Sequence, residues 1–267
     1  MSAPNSPSSK LGRAMTDPTI AVRSAGAMGP QVVFLHGYAA DRLSWAATEP
    51  AIDGARTHLI DLPGHGAAGP DVGDGDAAAL LAPVARFLAT LDGPAHLVGH
   101  SLGGGLALQA AQTAPECVAS LFLIAPAGLG AGVDRAYLDA FPDITDEAQM
   151  RAALERLVVR PELISAMTVR YAVSQLDRPG ARDALRAIAK AFPGSETRFA
   201  TAAASLIKTA LPRRVVWGAQ DTINPKAEQP LYSFAEVDAI PDVGHLPHIE
   251  APDQINARLT GFLADVA

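Results

Sequence analysis

Short apolar runs alternate with helical patterns along most of this chain. The apolar runs are continuous, which is typical of strands buried on both faces of a parallel sheet. Strands interleaved with helices predict a doubly wound α/β sheet. The predicted strands span residues 31–37, 58–63, 95–99, 120–124, 213–218 and 236–240, with an antiparallel edge strand at 19–23. The predicted helices span residues 41–52, 76–91, 102–113 and 252–263.

The interval from residue 128 to residue 211 has a different pattern, with helical periodicity and no convincing strand. Thr145 is the predicted N-cap of one helix, and Pro161 suits the first position of another. A crossover between parallel strands needs only about a dozen residues. We therefore interpret residues 128–211 as a helical lid, with ordinary crossover helices as the alternative. The predicted helices of the interval span residues 134–141, 145–159, 161–176, 180–192 and 196–211.

The remaining parts of the chain divide into a core and a tail. Residues 16–127 and 212–267 are assigned to the core. Residues 1–15 are rich in Ser and Pro and are predicted to form a disordered tail. They lack the apolar run of about 7–15 residues that a secretory signal requires, so the cytoplasm is the expected compartment.

Composition excludes several classes of protein. Hydrophobic residues make up 49% of the chain and charged residues 18%, which is the balance of a folded protein. The net charge of −7 argues against nucleic-acid binding. Cys117 is the single cysteine, so neither an intramolecular disulfide nor a cysteine-based metal cluster is possible. The apolar runs are too short to predict a membrane span.

The segment from Gly99 to Gly103, with Ser101 at its centre, matches the pattern G-x-S-x-G. Chance alone gives such a match in about one chain in ten of this composition, so the context decides. The segment follows an apolar run and precedes a helical pattern, the strand–turn–helix setting of a nucleophilic serine. Side chains at positions 99 and 103 would collide in so tight a turn. We therefore expect Ser101 to be a nucleophile at the start of a helix, where N–H groups stabilise negative charge.

An oxyanion formed by attack of Ser101 would need two preorganised donors. The natural pair is the backbone N–H of Leu102 and the backbone N–H of Tyr38, which follows the strand at residues 31–37. The Tyr38 side chain remains free to line a pocket. His36 could be mistaken for a base, and we interpret it as structural support for this loop.

The general base is expected on a loop after a late strand. His245 directly follows Gly244, after the last predicted strand and before the final helix, and is the predicted base. His248 is interpreted as a packing or helix-start residue. His65 is expected to stabilise a turn, and His100 to point away from Ser101.

A carboxylate should orient the base. Asp221 lies just past the strand at residues 213–218, where it could accept a hydrogen bond from one ring nitrogen of His245. Asp242 is a weaker rival because its side chain is expected to face outward. The chain order Ser101, Asp221, His245 is the serine–acid–histidine order of one hydrolase architecture.

Five ordered segments resemble the α/β-hydrolase superfamily over about residues 19–265. They are LHG at 35–37, DLPGHG at 61–66, GHSLGG at 99–104, WGAQD at 217–221 and GH at 244–245. The resemblance implies a mostly parallel, doubly wound sheet of about eight strands with a helical lid. It says little about the substrate, because function depends on the site and the lid.

The segment at residues 121–130 is similar to two groups within that superfamily: the hydrolases of meta-cleavage ring-fission products, and the hydrolase-like region of acetoin dehydrogenase acyltransferase subunits. In the second group a lipoyl domain normally precedes this region. Fewer than 20 residues precede the first predicted strand, so no such domain is expected here. The Gly-Gly-Pro-Gly loop of many ring-fission hydrolases is replaced by Tyr38-Ala-Ala40.

These residues predict a serine hydrolase that cleaves an ester or related carbonyl bond, including a C–C bond, of a small molecule. Acyl transfer, perhydrolysis and a ligand receptor with little turnover remain alternatives. Neither a metal nor an organic cofactor is expected, and the oligomeric state is not predicted. Arg135 or Arg170 could pair with a substrate carboxylate. The substrate pocket is expected between the lid and the carboxyl ends of the strands, lined by Leu129, Leu138, Phe141, Met167 and Tyr171.

Overall fold

A computed structural model describes residues 17–227 and 233–266, which are built around one seven-stranded sheet. The strands are β1 (Ala21–Ala25), β2 (Gln31–Leu35), β3 (Arg56–Asp61), β4 (Ala95–His100), β5 (Val118–Ile124), β6 (Arg213–Gly218) and β7 (Val237–Ile240). Their spatial order in the sheet is β1-β3-β2-β4-β5-β6-β7. Strand β1 pairs antiparallel with β3, and every other pairing is parallel.

This sheet confirms the predicted doubly wound, mostly parallel architecture and its antiparallel edge strand. The described residues contain one strand fewer than the roughly eight that were expected. The predicted tail at residues 1–15 lies outside the described residues. Because β2 to β7 are parallel, the loops that follow them gather at one edge, which is where ligands bind in open α/β sheets.

Eight α-helices connect or cover these strands within the described residues. Helix α2 (Leu102–Thr113) begins and ends at the predicted residues. Two short 3₁₀ helices, Arg42–Trp45 and Glu49–Ala51, replace the single helix predicted over residues 41–52. Pro50 has no N–H to donate to residue 46, so a continuous helix is disfavoured there. The α-helices are α1 (Ala77–Leu88), α2 (Leu102–Thr113), α3 (Arg135–Ala140), α4 (Glu147–Glu155), α5 (Ala166–Leu176), α6 (Ala181–Leu206), α7 (Pro247–Glu250) and α8 (Pro252–Asp265).

Helices α3 to α6 occupy the interval that was interpreted as a lid. The N-cap of α4 is Asp146, whose carboxylate accepts the N–H of Gln149 at 2.8 Å, and not Thr145 as predicted. Pro161 begins a 3₁₀ turn, Pro161–Leu163, that precedes α5. The sequence predicted two helices over residues 180–211, but α6 continues through Pro193 as one helix of 26 residues.

Packing explains why α6 remains continuous. Phe192 and Phe199 lie on either side of Pro193, and both are buried. The Ser195 hydroxyl accepts the backbone N–H of Ala77 at 2.9 Å, which ties the helix to the start of α1. Burying each phenylalanine contributes about 1.5–3 kcal/mol. Together these contacts offset the loss of one helical hydrogen bond at the proline.

The second half of α6 packs directly on core helix α2. The ring of Phe199 lies over Gly105, where an added Cβ would come within 2.7 Å of the ring atom Cε2. The Cβ and the backbone of Phe199 also lie against Gly128, at the start of the interval. The predicted lid therefore contains one helix that packs in the manner of a crossover helix, while α3 to α5 precede it along the chain.

Both faces of the sheet are covered, as a doubly wound fold requires. One buried apolar cluster joins strand residues to α1, α2 and α6 and includes Leu80, Leu106 and Phe199. The other includes Trp45 and Phe262 and joins the opposite face to α8. Among the described residues, the helices lack the combination of length and hydrophobicity that crossing a bilayer would require.

Candidate active site

Ser101 lies on a strained turn between β4 and α2. Its backbone has φ 49° and ψ −114°, a conformation that a residue other than glycine rarely adopts. A Cβ on Gly99 would lie 2.7 Å from the carbonyl oxygen of Gly103, and one on Gly103 would lie 2.5 Å from the carbonyl oxygen of His36. The two glycines are therefore required by close backbone approach, as the sequence predicted. The Ser101 carbonyl accepts N–H groups from Gly105 and Ala127, both at 3.0 Å.

His245 and Asp221 are joined by a buried hydrogen bond. The Nδ1 atom of His245 lies 2.7 Å from Oδ2 of Asp221. Because a carboxylate only accepts, Nδ1 carries the proton and Nε2 is left as the basic nitrogen. Asp242, the rival acid, is exposed and its Oδ1 accepts the side-chain amide of Gln220 at 3.2 Å. The structure thus pairs His245 with Asp221.

The Asp221 carboxylate is fixed by its own loop. Its Oδ1 atom accepts the N–H groups of Ile223 and Asn224, both at 2.9 Å. The Asn224 side chain in turn donates to the carbonyl oxygens of Ala125 and Pro126, which follow β5. With Oδ1 held by two backbone donors, Oδ2 is directed at the imidazole of His245. No local sequence signal indicated this role of Asn224.

The backbone of His245 is held on both sides. Its N–H donates to the carbonyl oxygen of Leu157 at 2.8 Å. Its carbonyl oxygen lies 2.8 Å from Nε2 of His100, the residue before Ser101, and the rings of His100 and His245 lie 4.8 Å apart. His100 therefore connects the Ser101 turn to the His245 loop.

The loop after β2 lies against the Ser101 turn. A Cβ on Gly37 would lie 3.3 Å from the Cβ of Ser101. The next residue, Tyr38, extends its hydroxyl to the carbonyl oxygens of Leu138 and Leu185, each at 3.2 Å, in α3 and α6. Burial raises the pKa of the Tyr38 phenol, so it remains a neutral donor. As the first residue of α2, Leu102 has an N–H with no intrahelical acceptor.

Two buried histidines fix the conformation of this loop. The Nδ1 atom of His36 lies 2.8 Å from the carbonyl oxygen of Gly37, while its Nε2 accepts the N–H of Leu62 at 3.0 Å. The Nε2 atom of His65 accepts the N–H of Ala39 at 3.1 Å, and Ala39 has the positive φ of 56°. His36 supports the loop, and His65 stabilises a turn, as their sequence context predicted.

Burial keeps these histidines neutral. Desolvation lowers the pKa of His36 to about 4 and that of His65 to about 3, despite the opposing effect of backbone hydrogen bonds. Neutrality matters because each ring uses one nitrogen as a donor and the other as an acceptor. His248 is also buried, and desolvation lowers its pKa to about 3.

The predicted pocket residues fall into two groups. Leu129, Leu138 and Phe141 are buried, and the Phe141 ring lies 6.2 Å from the ring of Tyr38. Met167 and Tyr171 lie on α5 near the surface, 73% and 39% exposed. The Met167 side chain points to solvent instead of into an enclosed pocket.

Tyr171 makes a specific contact between α5 and the core. Its hydroxyl donates to Oδ2 of Asp41 at 2.6 Å. Asp41 caps the 3₁₀ helix that follows the Tyr38 loop, with its Oδ1 accepting the N–H of Leu43. Tyr171 thus links α5 to the segment that would carry one oxyanion donor.

Arg135 and Arg170, the two arginines that could pair with a substrate carboxylate, differ in their surroundings. Arg135 already pairs with Asp139 at 2.8 Å, while Arg170 is exposed on α5. A surface cavity of about 410 Å³ opens among the helices of residues 128–211, which we call the inserted helices, and is lined in part by Tyr137, Phe141 and Arg156. Phe141 lines this cavity, and its ring also lies near the ring of Tyr38.

No group of three or more His, Cys, Asp or Glu side chains within residues 17–227 and 233–266 is arranged to hold a metal ion. The site thus consists of a serine on a strained turn, a histidine bonded to a carboxylate, and a loop of backbone donors. It can support proton abstraction from a hydroxyl and stabilisation of an adjacent anion.

Comparison with known proteins agrees with the resemblance that the sequence motifs indicate. A model of the alpha/beta hydrolase family matches residues 32–258. The chain is 33% identical over 240 residues to the dihydrolipoyllysine-residue acetyltransferase component of the acetoin cleaving system of Pseudomonas putida. That match covers 89% of this chain and 64% of the relative, so the chain spans less than two thirds of that protein's length.

Two further relatives match over nearly their whole length. A pimeloyl-[acyl-carrier protein] methyl ester esterase of Edwardsiella ictaluri is 29% identical over 266 residues, covering 90% of this chain and 95% of the esterase. A solved meta-cleavage product hydrolase of Pseudomonas fluorescens superposes with a TM-score of 0.80 at 22% identity, covering 93% and 95% of the two chains. At that identity the structural likeness demonstrates the fold alone.

Proposed function

This chain belongs to the alpha/beta hydrolase family, and from that premise we propose that it is a serine hydrolase acting on an ester or related carbonyl bond of a small molecule. Ser101 is the nucleophile, His245 the general base and Asp221 the orienting acid. The backbone N–H groups of Tyr38 and Leu102 are the oxyanion donors. The observation that carries the proposal is the 2.7 Å hydrogen bond between His245 and Asp221, on a loop that His100 joins to the Ser101 turn.

In the first half of the reaction, Nε2 of His245 takes the hydroxyl proton of Ser101 as its oxygen attacks the substrate carbonyl carbon. The carbonyl oxygen becomes an oxyanion, which the two backbone N–H groups stabilise. One such donor contributes about 3–4 kcal/mol. The tetrahedral intermediate then collapses, the bond to the leaving group breaks, and His245 returns the proton to that group.

In the second half, water attacks the acyl-enzyme. His245 takes a proton from the water, the oxyanion forms again, and Ser101 leaves with a proton returned from the imidazole. The products are a carboxylic acid and the free enzyme. Asp221 stabilises the imidazolium in both halves, and its two backbone donors prevent it from rotating away.

Labelling with a fluorophosphonate probe tests the nucleophile and the base. The wild type should be labelled, and Ser101→Ala should not. His245→Ala should lose activity on p-nitrophenyl esters, while His248→Ala, three residues away, should retain it. Labelling that persists in Ser101→Ala, or activity lost in His248→Ala and kept in His245→Ala, contradicts the assignment. Esters of increasing chain length, beside a vinylogous ring-fission diketone, would identify the acyl group.

Acyl transfer is a second candidate, favoured by the 33% identity to the acetyltransferase component over 89% of this chain. In this reaction a thiol replaces water as the acceptor, so the acyl group leaves Ser101 as a thioester. The hydrolase and the transferase share every group described above and differ only in the second nucleophile.

The ratio of products distinguishes these two reactions. An acyl ester should be turned over with and without an added dithiol such as dihydrolipoamide, and both acid and thioester should be measured. Thioester as the main product, with turnover that rises with dithiol concentration, supports the transferase. Acid as the main product at every dithiol concentration supports the hydrolase.

A further inference from the structure

Glu250 is a buried carboxylate without a role in the proposed chemistry. It is the last residue of α7, five positions after His245, and its exposed fraction is 4%. A buried carboxylate is costly unless its oxygens accept hydrogen bonds. The partners of Glu250 therefore indicate what it is for.

The two carboxylate oxygens of Glu250 bind two different segments. Oε1 accepts the N–H of Gly244, the residue before His245, at 2.6 Å. Oε2 accepts the N–H groups of Val159 and Arg160 at 2.8 and 3.2 Å. The Arg160 guanidinium also donates to the backbone carbonyl of Glu250. One side chain thus joins the His245 loop to residues 157–160, which connect α4 to α5.

The two segments also touch directly. The N–H of His245 donates to the carbonyl oxygen of Leu157 at 2.8 Å. A Cβ on Gly244 would lie 2.8 Å from that same oxygen and 3.1 Å from Oε1 of Glu250, so only glycine fits between them. The backbone of residues 244 and 245 is therefore held from one side by the α4–α5 connection and by Glu250.

We infer that Glu250 is a positioning residue that fixes His245 against the α4–α5 connection, so that the general base and this part of the inserted helices are held as one unit. The inference rests on the proposed function, since it takes His245 as the base. Displacement of the α4–α5 connection would withdraw the acceptor of the His245 N–H and shift the imidazole relative to Ser101. A displacement of about 1 Å in a catalytic group can cost about 100-fold in rate.

A carboxamide cannot reproduce these contacts. Glu250 accepts N–H donors at both oxygens, whereas glutamine offers one oxygen and one NH₂ group. Glu250→Gln would place its NH₂ against the N–H of Gly244 or against those of Val159 and Arg160. The side chain keeps its size, so the change tests the hydrogen bonds and not the packing.

The experiment compares wild type, Glu250→Gln and a matched control, Glu49→Gln. Glu49 is also a largely buried carboxylate: it accepts the hydroxyl of Thr57, near the start of β3, and pairs with Arg23 in β1. Active sites are counted by the burst of p-nitrophenol, and kcat is expressed per counted site. Glu250→Gln should lower kcat per site by about 10- to 100-fold and change KM by less than about threefold. Glu49→Gln should keep the wild-type kcat per site.

A purely structural role predicts something different: fewer counted sites, each with the wild-type kcat. That result in Glu250→Gln overturns the inference. If Glu250→Gln yields no countable sites, Glu250→Asp takes its place, because the shorter side chain keeps the charge but does not span both segments. A wild-type kcat per site in Glu250→Asp then overturns it as well.

A second readout does not depend on turnover. The proton between His245 Nδ1 and Asp221 should give a downfield ¹H NMR resonance, which Glu250→Gln should shift or broaden and Glu49→Gln should leave unchanged. A wild type with neither a burst nor labelling at Ser101 would disprove the proposed function. In that case this resonance still decides whether Glu250 positions His245, and an unchanged resonance in Glu250→Gln counts against the inference.

Discussion

Two regions of the molecule use polar side chains in opposite ways. In the loop cluster, which we define as residues 36–41, 99–102, 221–224 and 244–250, the polar side chains that carry the site are mostly buried and bond to backbone groups or to one another. In the inserted helices, residues 128–211, many are arginines paired with aspartates at the surface. Arg186 is an example: it pairs with Asp143 and Asp183, and the three side chains are 48%, 67% and 85% exposed.

The difference shows where the geometry of the site is determined. A buried hydrogen bond that loses one partner costs about 1–3 kcal/mol, because the other partner is left without water. An exposed ion pair contributes about 0.2–1 kcal/mol and is screened by salt. Replacing one of the buried, hydrogen-bonded side chains of the loop cluster should therefore cost more free energy than replacing a charged side chain on the surface of the inserted helices. Four substitutions test this difference, beginning with the one that should change the protein most.

The first prediction concerns the hydrogen bond between Asp221 and His245 in the loop cluster. Asp221→Asn should lower kcat by about 10⁴-fold, because an amide favours the wrong tautomer of His245. Asp242→Asn, the same change at the exposed rival acid, should leave kcat near the wild-type value. Steady-state kinetics on a p-nitrophenyl ester measures both, and a large loss in Asp242→Asn alone would contradict the pairing that we describe.

The second prediction concerns the packing of α2, the helix that begins in the loop cluster, against α6 of the inserted helices. Gly105→Ala should lower the free energy of unfolding by about 1–3 kcal/mol, because its Cβ would come within 2.7 Å of the buried Phe199 ring. Urea unfolding followed by circular dichroism measures the change. Phe199→Leu makes room at this position, so the Gly105→Ala change should cost less in that background. An equal cost in both backgrounds would mean that the clash with Phe199 is not the cause.

The third concerns a buried histidine without polar contacts. His248 packs between the rings of Trp45 and His100, at 4.7 and 4.6 Å, and neither of its ring nitrogens has a hydrogen-bond partner among the described residues. Its folded pKa is lowered to about 3. The unfolded chain therefore binds one more proton than the folded chain between about pH 6 and pH 4. The contribution of His248 to the free energy of unfolding is therefore highest above about pH 6.5, where the residue is neutral in both states, and it decreases as the pH falls toward 3.

His248→Phe should keep the aromatic packing and remove this proton uptake. The slope of the unfolding free energy against pH should decrease by roughly 1 kcal/mol per pH unit between about pH 6 and pH 4. Urea unfolding at several pH values measures the slope. His36 and His65 remain in the variant and still contribute. A slope equal to that of the wild type would show that His248 takes up no proton on unfolding.

The fourth and smallest effect is expected at the surface of the inserted helices. Arg186→Ala removes the pairs with Asp143 and Asp183 and should change the free energy of unfolding by less than about 1 kcal/mol. The difference should shrink further at high salt. Urea unfolding at low and high salt measures it. A loss that is larger than that of Gly105→Ala would reverse the comparison between the two regions.

Much of the framework could be predicted from local patterns. Helix α2 has the predicted bounds, because the Ser101 turn defines its start and an Ala- and Leu-rich segment follows. Strand β6 also has the predicted bounds, Arg213–Gly218, because its apolar run is short and the residues around it limit where the strand can begin and end. Asp221 was preferred to Asp242 from its position directly after that strand, and the hydrogen bond to His245 agrees with that preference.

The remaining features depend on contacts between distant residues. Pro193 predicted a helix boundary, but the burial of Phe192 and Phe199 keeps α6 continuous. Glu250 carried no local signal, because its partners at residues 159 and 160 lie about 90 positions earlier. Met167 and Tyr171 fit a helical stripe, yet they lie on the more exposed side of α5.

Local sequence patterns were sufficient to establish the order of strands and helices, the strained serine turn, the residue types available for acid–base chemistry, and the preference for Asp221 over Asp242. These depend on neighbours within a few positions, where backbone sterics and side-chain periodicity act. The folded arrangement was needed to establish which histidines are buried and neutral, how the Asp221 carboxylate is fixed, and what holds the His245 loop in place. Those outcomes depend on desolvation and on hydrogen bonds between segments that meet only when the chain has folded.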